Sequence, residues 1–583
     1  MFKPLIKEIK EYKCISLITP VLMIGEVVME MIIPLLMGQI IDKGVEAGDM
    51  GYIMKTGALM ILAALVSLFF GVSCGVCAAK ASTGFAKNLR HAMYEKIQTF
   101  SFSNIDRFSS AGLVTRLTTD VTNIQNSYQM LLRMATRAPA SLIIALFMAF
   151  SINPKLSRVY IVAVVFLAAV LAYIIPHAHG FFGQMFNKYD ALNENIQENI
   201  SAIREVKAYV REDYETKKLH SATDEIYNVS LKAEKLMNLM MPTMNFTVYA
   251  SIIAISWFGA KMIVGSELST GNLMSLLTYC MNILMSLMIL SMISVMLTIS
   301  FASAKRISEV LTEESDITNP ANPIMAIENG NIEFNNVVFR YFANSEKPVL
   351  DNINLTFKEG QTIGIIGGTG SAKSSLVNLL SRLYDVNEGS VKIGGIDVRN
   401  YDLETLRNQV SVVLQKNVLF SGTIMDNLKW GNPNATVEDC QLACEMACIA
   451  DFIEALPAQY DSAVEQEGTN FSGGQRQRLC IARALMKKPK ILVLDDSTSA
   501  VDTATDAKIR EAFLKKIPGT TKIIIAQRIS SIQDADCIVV MHDGKVDGIG
   551  SHEELLKCNE IYKDVYESQN GGARDFDEKG GAF

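Results

Sequence analysis

Residues 361–380 read QTIGIIGGTGSAKSSLVNLL. An apolar run suited to a strand leads into a glycine-rich turn, and an amphipathic helix pattern follows. That order is a P-loop: Gly367, four residues, Ala372, then Lys373 and Ser374. Gly367, Gly368, Thr369, Gly370, Ser371, Ala372 and the helix start through Ser375 are expected to aim backbone N–H groups at phosphate oxygens. Lys373 is expected to pair with the β and γ phosphates and Ser374 to ligate Mg²⁺, which makes ATP and Mg²⁺ the implied cofactors. The template has Gly where Ala372 stands, and the added Cβ is expected to crowd the turn.

Further along, ILVLDDSTSAVD (491–502) is a branched apolar run that ends in two carboxylates, Asp495 and Asp496. It reads as a strand that presents an acid to magnesium. Upstream, IEFNNVVFRYF alternates as strands do, and TEESDITNPANPIMAIENG (312–330) is polar with two Pro, a linker composition.

At 583 residues the chain is long for one domain, and its composition changes near residue 305. A net charge of -7 gives no nucleic-acid footprint, so no nucleic-acid partner is expected. The ten Cys follow no secreted-type spacing and are expected to be reduced. Cys440, Cys444 and Cys448 share a helix face, and Cys74 and Cys77 lie in an apolar helix. Both sets are read as buried packing residues rather than metal ligands. His177 and His179 are read as structural or interfacial.

Before the change lie six apolar stretches, near 15–41, 54–79, 131–152, 157–178, 243–265 and 272–300. Each is long enough to span a bilayer core of ~30 Å as a helix. The basic, amphipathic start, residues 1–14, is expected to lie on the membrane surface as an elbow helix. Lys and Arg concentrate in 80–130 and 179–241, which places these segments and both termini in the cytoplasm. Both carry helical periodicity, so they are expected to be long helical arms joined by short turns. Glu26 and Glu30 sit one turn apart in the first span, where carboxylates need a cavity or a partner. A cation-binding role and structural pairing are both open. Met281, Met285, Met288, Met292 and Met296 form a stripe in the last span that suits varied apolar ligands, or plain packing and lipid contact. Asn245 and Asn282 are candidates for the same cavity or for interhelical hydrogen bonds.

The P-loop, NFSGGQRQRLCIARAL (470–485) and ILVLDDSTSAVD together resemble the ATP-binding cassette (ABC) exporter family. The resemblance is to the degenerate-site subunit of bacterial heterodimeric multidrug exporters, and it covers almost the whole chain. It implies an all-α six-helix transmembrane domain of type IV ABC exporter fold, followed by an α/β P-loop nucleotide-binding domain. The corresponding boundaries are 1–14 for the elbow, 15–305 for the membrane domain, 306–330 for the linker, 331–568 for the nucleotide-binding domain and 569–583 for a disordered tail. The resemblance also implies Tyr341 stacked on adenine, Gln415 sensing Mg²⁺, Asp495 on the magnesium side and Asp502 crossing between nucleotide domains. Ser472, Gly473, Gly474 and Gln475 would close over ATP held by a partner. VEQEG, ahead of the signature, departs from the family's coupling loop.

Two departures fall in one ATP pocket. Asp496 stands where the family has its catalytic Glu, and Gln527 where it has a His on the γ-phosphate. Asp is shorter by one C–C bond, about 1.5 Å, and misplacement on that scale costs about 100-fold in rate. An amide donates a hydrogen bond but does not become a cation. The expectation is a site that binds ATP and hydrolyses it poorly, paired with an intact signature. That favours a heterodimer with a second ABC half-transporter, exporting amphipathic small molecules across a bacterial cell membrane. The alternatives are a homodimeric lipid or peptide exporter with slow turnover, and a non-transporting ATP-gated regulator or channel.

Overall fold

The computed structural model describes residues 2–342, 345–497 and 499–577. The chain divides into two compact units, Met1–Thr99 with Ser110–Glu313, and Phe100–Ser109 with Glu314–Phe583.

The first unit is built on α1 (Lys13–Gln39), α2 (Met50–Gln98), α3 (Val121–Ile152), α4 (Pro154–Ser201), α5 (Glu212–Met237), α6 (Met240–Val264) and α7 (Thr270–Thr312). Six segments among the described residues are long and apolar enough to cross a membrane, matching the six stretches read from sequence. Local chemistry sets the helix starts. Asn153 precedes Pro154 and accepts from the N–H groups of Lys155 and Leu156, and Asp49 and Ser269 cap α2 and α7 in the same way. At about 1.5 Å per residue, the 48-residue α4 reaches about 70 Å, more than twice a bilayer core, so it forms an arm as well as a span. Helix α1 packs on α2, α3 on α7, and α4 on α5 and α6. Buried Asp120, just before α3, is held by Arg306 Nε at 2.7 Å and Ser303 Oγ at 2.9 Å, both on α7.

Two boundaries differ from the sequence reading. Helix α7 continues to Thr312, so the linker begins there rather than at 306, because the AKRISEVL periodicity still buries Ala304, Ile307 and Val310. The elbow is two short helical pieces, Phe2–Lys7 and Lys10–Tyr12, broken where Lys10 takes a positive φ of 43°.

In the second unit, the strands are β1 (Ile332–Phe339), β2 (Leu350–Phe357), β3 (Thr362–Gly367), β4 (Glu388–Ile393), β5 (Ile396–Asp397), β6 (Val410–Val413), β7 (Gly422–Thr423), β8 (Ala463–Val464), β9 (Ile491–Asp495), β10 (Thr521–Ile525), β11 (Cys537–His542) and β12 (Lys545–Gly550). One sheet has order β12-β11-β3-β10-β9-β6 and is parallel except for β12. Its central strands are near-continuous apolar runs, as burial on both faces requires. A second, antiparallel sheet runs β2-β1-β4-β5. The helices used below are α8 (Lys373–Asn378), α9 (Gly473–Leu485), α10 (Thr503–Lys516) and α11 (Glu560–Asp577). Helix α11 runs through residues 569–577, which the sequence reading assigns to a disordered tail. Its face of Tyr562, Val565 and Tyr566 packs on the core and carries the helix onward. Residues 578–583 of that tail lie outside the described residues.

Candidate functional site

Strand order brings the chemistry together. Because β3 neighbours β10, β10 neighbours β9 and β9 neighbours β6, four sets of residues meet at the carboxyl ends of those strands. They are the P-loop after β3, Gln527 after β10, Asp495 and Asp496 at the end of β9, and Gln415 after β6. Open α/β sheets bind their ligands at this edge.

The P-loop is tightly wound. A Cβ at Gly367 would lie 2.2 Å from the Met541 carbonyl oxygen, so only Gly fits, and Gly370 has φ of 83°. Lys373 folds back over the loop and donates to the carbonyls of Gly367 at 2.9 Å and Gly368 at 2.8 Å, and to Ser371 Oγ at 3.1 Å. Burial lowers its pKa, while Asp495 and Asp496 act in the opposite direction. The cost at Ala372 is conformational rather than the crowding expected from sequence. Its methyl packs against the core, and the backbone is left-handed, φ 69° and ψ 22°. A non-Gly residue there carries strain of roughly 1–2 kcal/mol.

The acids occupy different surroundings. Asp495 is buried, which raises its pKa, and it accepts a hydrogen bond from Ser374. Burial raises Asp496 as well, against hydrogen bonds from Gln415 and Gln527 and the charges of Lys373 and Arg528. Gln527 Nε2 donates to Asp496 Oδ2 at 2.9 Å, so the two residues singled out from sequence contact each other. Asp496 itself is strained, with φ of 50°. The Ser374 hydroxyl beside the Asp495 carboxylate, with Gln415 on the adjoining acid, is an oxygen donor set that fits Mg²⁺, an ion that keeps most of its waters. Among the described residues no group of three or more His, Cys, Asp or Glu suits a metal. Cys440 and Cys444 are core residues, and burial pushes the Cys444 thiol up to about 12.

Tyr341 presents its ring beside the P-loop, its hydroxyl 2.8 Å from Ser375 Oγ. Its ring stands edge-on to Tyr384, centroids 5.0 Å apart, and the Tyr384 hydroxyl donates to Asp106 at 2.6 Å. Tyr384 was not singled out from sequence; only the fold brings residues 384 and 106 together. Thr369 lies within the same turn.

The signature is built differently. Ser472 caps α9 and forms a reciprocal pair with Gln475: Ser472 N–H donates to Gln475 Oε1 at 2.8 Å, and Gln475 N–H to Ser472 Oγ at 3.3 Å. Gly473 and Gly474 pass close to Ala500, whose N–H is held by Gln477 Oε1 at 3.0 Å. Asp502 caps α10 through the Thr505 N–H at 3.0 Å, and that bond lowers its pKa. In the VEQEG segment Glu467 has a positive φ of 59°.

Residues 16–288 match the family model described as the ABC transporter transmembrane region, and residues 350–499 match the one described as ABC transporter. The chain is 35% identical over 563 residues to the Bacillus subtilis protein named "Uncharacterized ABC transporter ATP-binding protein YfiB", covering 97% of this chain and 98% of the relative. The chain belongs to the ABC transporter family. It is also 31% identical to the B. subtilis "Probable multidrug resistance ABC transporter ATP-binding/permease protein YheI", with 94% of each chain covered. With the "ATP-dependent lipid A-core flippase" of Desulfotalea psychrophila it shares 32% identity, over 83% of this chain and 84% of that one. In fold it matches a bacterial Atm1-family ABC exporter, with a TM-score of 0.80, 24% identity, and 95% and 99% of the two chains covered. The transporter therefore pairs a six-span helical domain with an α/β ATP-binding domain in the type IV exporter fold.

In the membrane unit the charges are resolved in one direction. Arg137, on α3, donates to Glu26 Oε1 at 2.7 Å and to Glu30 Oε2 at 2.6 Å. Structural pairing thus accounts for both acids, where the sequence left a cation site open. The sequence signal for it is an arginine inside an apolar span. Met281 and Asn282 line an apolar cleft of about 570 Å³ with Met37, Ile41, Ile252, Met274, Leu277 and Thr278. Met285, Met292 and Met296 are exposed along the same stripe and Met288 is partly buried, while Asn245 is exposed and does not line the cleft. His177 bonds to the Tyr173 carbonyl oxygen at 2.7 Å, and the His179 side chain lies outside the described residues.

Proposed function

We propose that this transporter chain is one subunit of an ATP-driven heterodimeric exporter of amphipathic compounds, in a bacterial cell membrane with both termini cytoplasmic. The observation that carries the reading is the Gln527–Asp496 hydrogen bond of 2.9 Å. Phosphoryl transfer relies on positioning and charge stabilisation. Here the carboxylate that should orient water is short and engaged by an amide that adds no positive charge. Tyr341 seats adenine, the P-loop from Gly367 to Ser375 and Lys373 hold the phosphates, and Asp496 orients water weakly. Mg²⁺, when bound by Ser374, Asp495 and Gln415, supplies charge neutralisation at the phosphates. ATP stays long at this site. The Ser472–Gln475 edge, exposed at Ser472, completes the partner's site, where turnover drives transport, and Asp502 lies at the crossing between the two nucleotide domains.

The names of the relatives support an exporter of apolar or amphipathic cargo, and the Met281–Asn282 cleft supports the same class. The lipid flippase among the relatives keeps a homodimeric lipid exporter as the second reading. ATPase activity of the chain purified alone, and then with a candidate partner half-transporter, separates the two. Near-zero activity alone and strong activity in the pair is the expected result; robust activity alone transfers the reading to the homodimer. Exchange of Glu26 and Glu30 for Gln is expected to reduce stability of the membrane domain without selective loss of cationic cargo.

A further inference from the structure

The loop that carries Gln527 is tied at both ends. After β10, Ala526 N–H donates to the Ile365 carbonyl of β3 at 3.2 Å, which anchors the entry. At the exit, where Ile529 packs in the core and the next turn is closed by its own backbone bonds, one side chain of the C-terminal helix also grips the loop backbone. Gln569 Oε1 accepts from Ile529 N–H at 2.9 Å, and Gln569 Nε2 donates to the Gln527 carbonyl at 2.8 Å. One amide thus clasps two backbone groups two residues apart, as a strand rung would. Ile529 is buried, so an N–H left without a hydrogen-bond partner there is costly. Gln527 and Arg528, between the anchors, are exposed. From that exposed tip, the Gln527 side chain reaches Asp496.

Gln569 is not needed to fold the helix that bears it. Tyr562 is buried, its hydroxyl bonds to His552 Nδ1 at 2.7 Å, its N–H donates to Asn559 Oδ1 at 2.8 Å, and Val565 and Tyr566 pack on the core. Residues 562, 565, 566 and 569 share one helix face, so packing of the first three delivers the fourth to the loop.

We propose that Gln569 is a positioning residue for the nucleotide site: its clasp on residues 527 and 529 holds the Gln527 amide on Asp496 and so sets how long ATP is retained. The proposal rests on ATP being held at this chain's own P-loop; it does not depend on whether the partner is a second copy.

The test is retention of radiolabelled ATP by the purified, assembled transporter after rapid removal of free nucleotide. Wild type is compared with Gln569→Ala, Gln527→Ala, the double variant and Gln569→Glu, with Lys373→Ala as the empty-site control. Gln569→Ala is expected to shorten retention about threefold to tenfold, the loss of one or two net hydrogen bonds. Gln527→Ala should do the same, and the double variant should be no worse than either alone. Gln569→Glu keeps the acceptor for Ile529 N–H but repels the Gln527 carbonyl, and should fall between. Retention unchanged in Gln569→Ala, or additive losses in the double variant, overturns the proposal while leaving the site reading intact. Wild-type retention equal to that of Lys373→Ala overturns both.

Discussion

The P-loop pocket and the signature segment belong to one domain, yet they differ in how closely they keep the family's chemistry. In the pocket, Ala372 sits in a left-handed conformation that suits Gly, Asp496 is strained and short, and Gln527 replaces a ring that can carry charge. At the signature, Ser472 and Gln475 cap each other, and Gly473 and Gly474 pass Ala500 with no room to spare at Gly474, where a Cβ would lie 2.9 Å from a carbonyl oxygen. On the proposed reading, the surface kept intact is the one this chain would lend to another, while the altered one is its own.

The comparison breaks most readily at Ser472. Ser472→Ala removes a donor from the lent surface, and ATPase of the assembled transporter is expected to fall about 100-fold, the usual cost of one preorganised donor. ATP retention at this chain's P-loop should be unaffected; equal loss of both would erase the distinction between the surfaces. Asp496→Glu with Gln527→His rebuilds the family pattern in the pocket. Turnover at this site is expected to rise by up to about 100-fold, measured with the partner's P-loop Lys disabled, if misplacement of the acid is the main defect. No gain would locate the defect elsewhere in the pocket.

Smaller effects sharpen the picture. Ala372→Gly should relieve left-handed strain and raise the melting temperature of nucleotide-free protein by the equivalent of about 1 kcal/mol. A fall in melting temperature would mean the buried methyl outweighs the strain. Least of all, Asp496→Asn should stabilise the nucleotide-free protein slightly at neutral pH. Burial raises the Asp496 pKa, so ionising it opposes folding by an amount that is complete above that raised pKa and vanishes below the ordinary carboxylate value of the unfolded chain. The advantage of the Asn variant should therefore shrink as pH falls into the carboxylate range, and a gain that grows on acidification would contradict the burial argument.

Much of this molecule was legible because its signals are local. Six apolar runs need only length and hydropathy, and the P-loop, the signature and the paired acids are each contained in a short stretch, strand, turn and helix for the P-loop and the acids, turn and helix for the signature. Helix ends at Asn153, Asp49 and Ser269 follow from caps one residue away. What escaped was partnership at long range. Arg137 stands 107 residues from Glu30, and Tyr384 stands 278 from Asp106. Gln569 lies in a stretch whose composition suggested a tail, because a helix held by three packed side chains on one face has little else to announce it.

The sequence alone determined the pairing of a six-span helical domain with an α/β ATP-binding domain, since both depend on residue type and near-neighbour spacing. Only tertiary structure decided that Gln527 lies against Asp496, that Ala372 is strained, that the intramembrane acids are paired, and that the C-terminal helix grips the loop beside the acid. Those depend on strand order and helix packing, which join residues far apart in the chain and leave no periodicity to read.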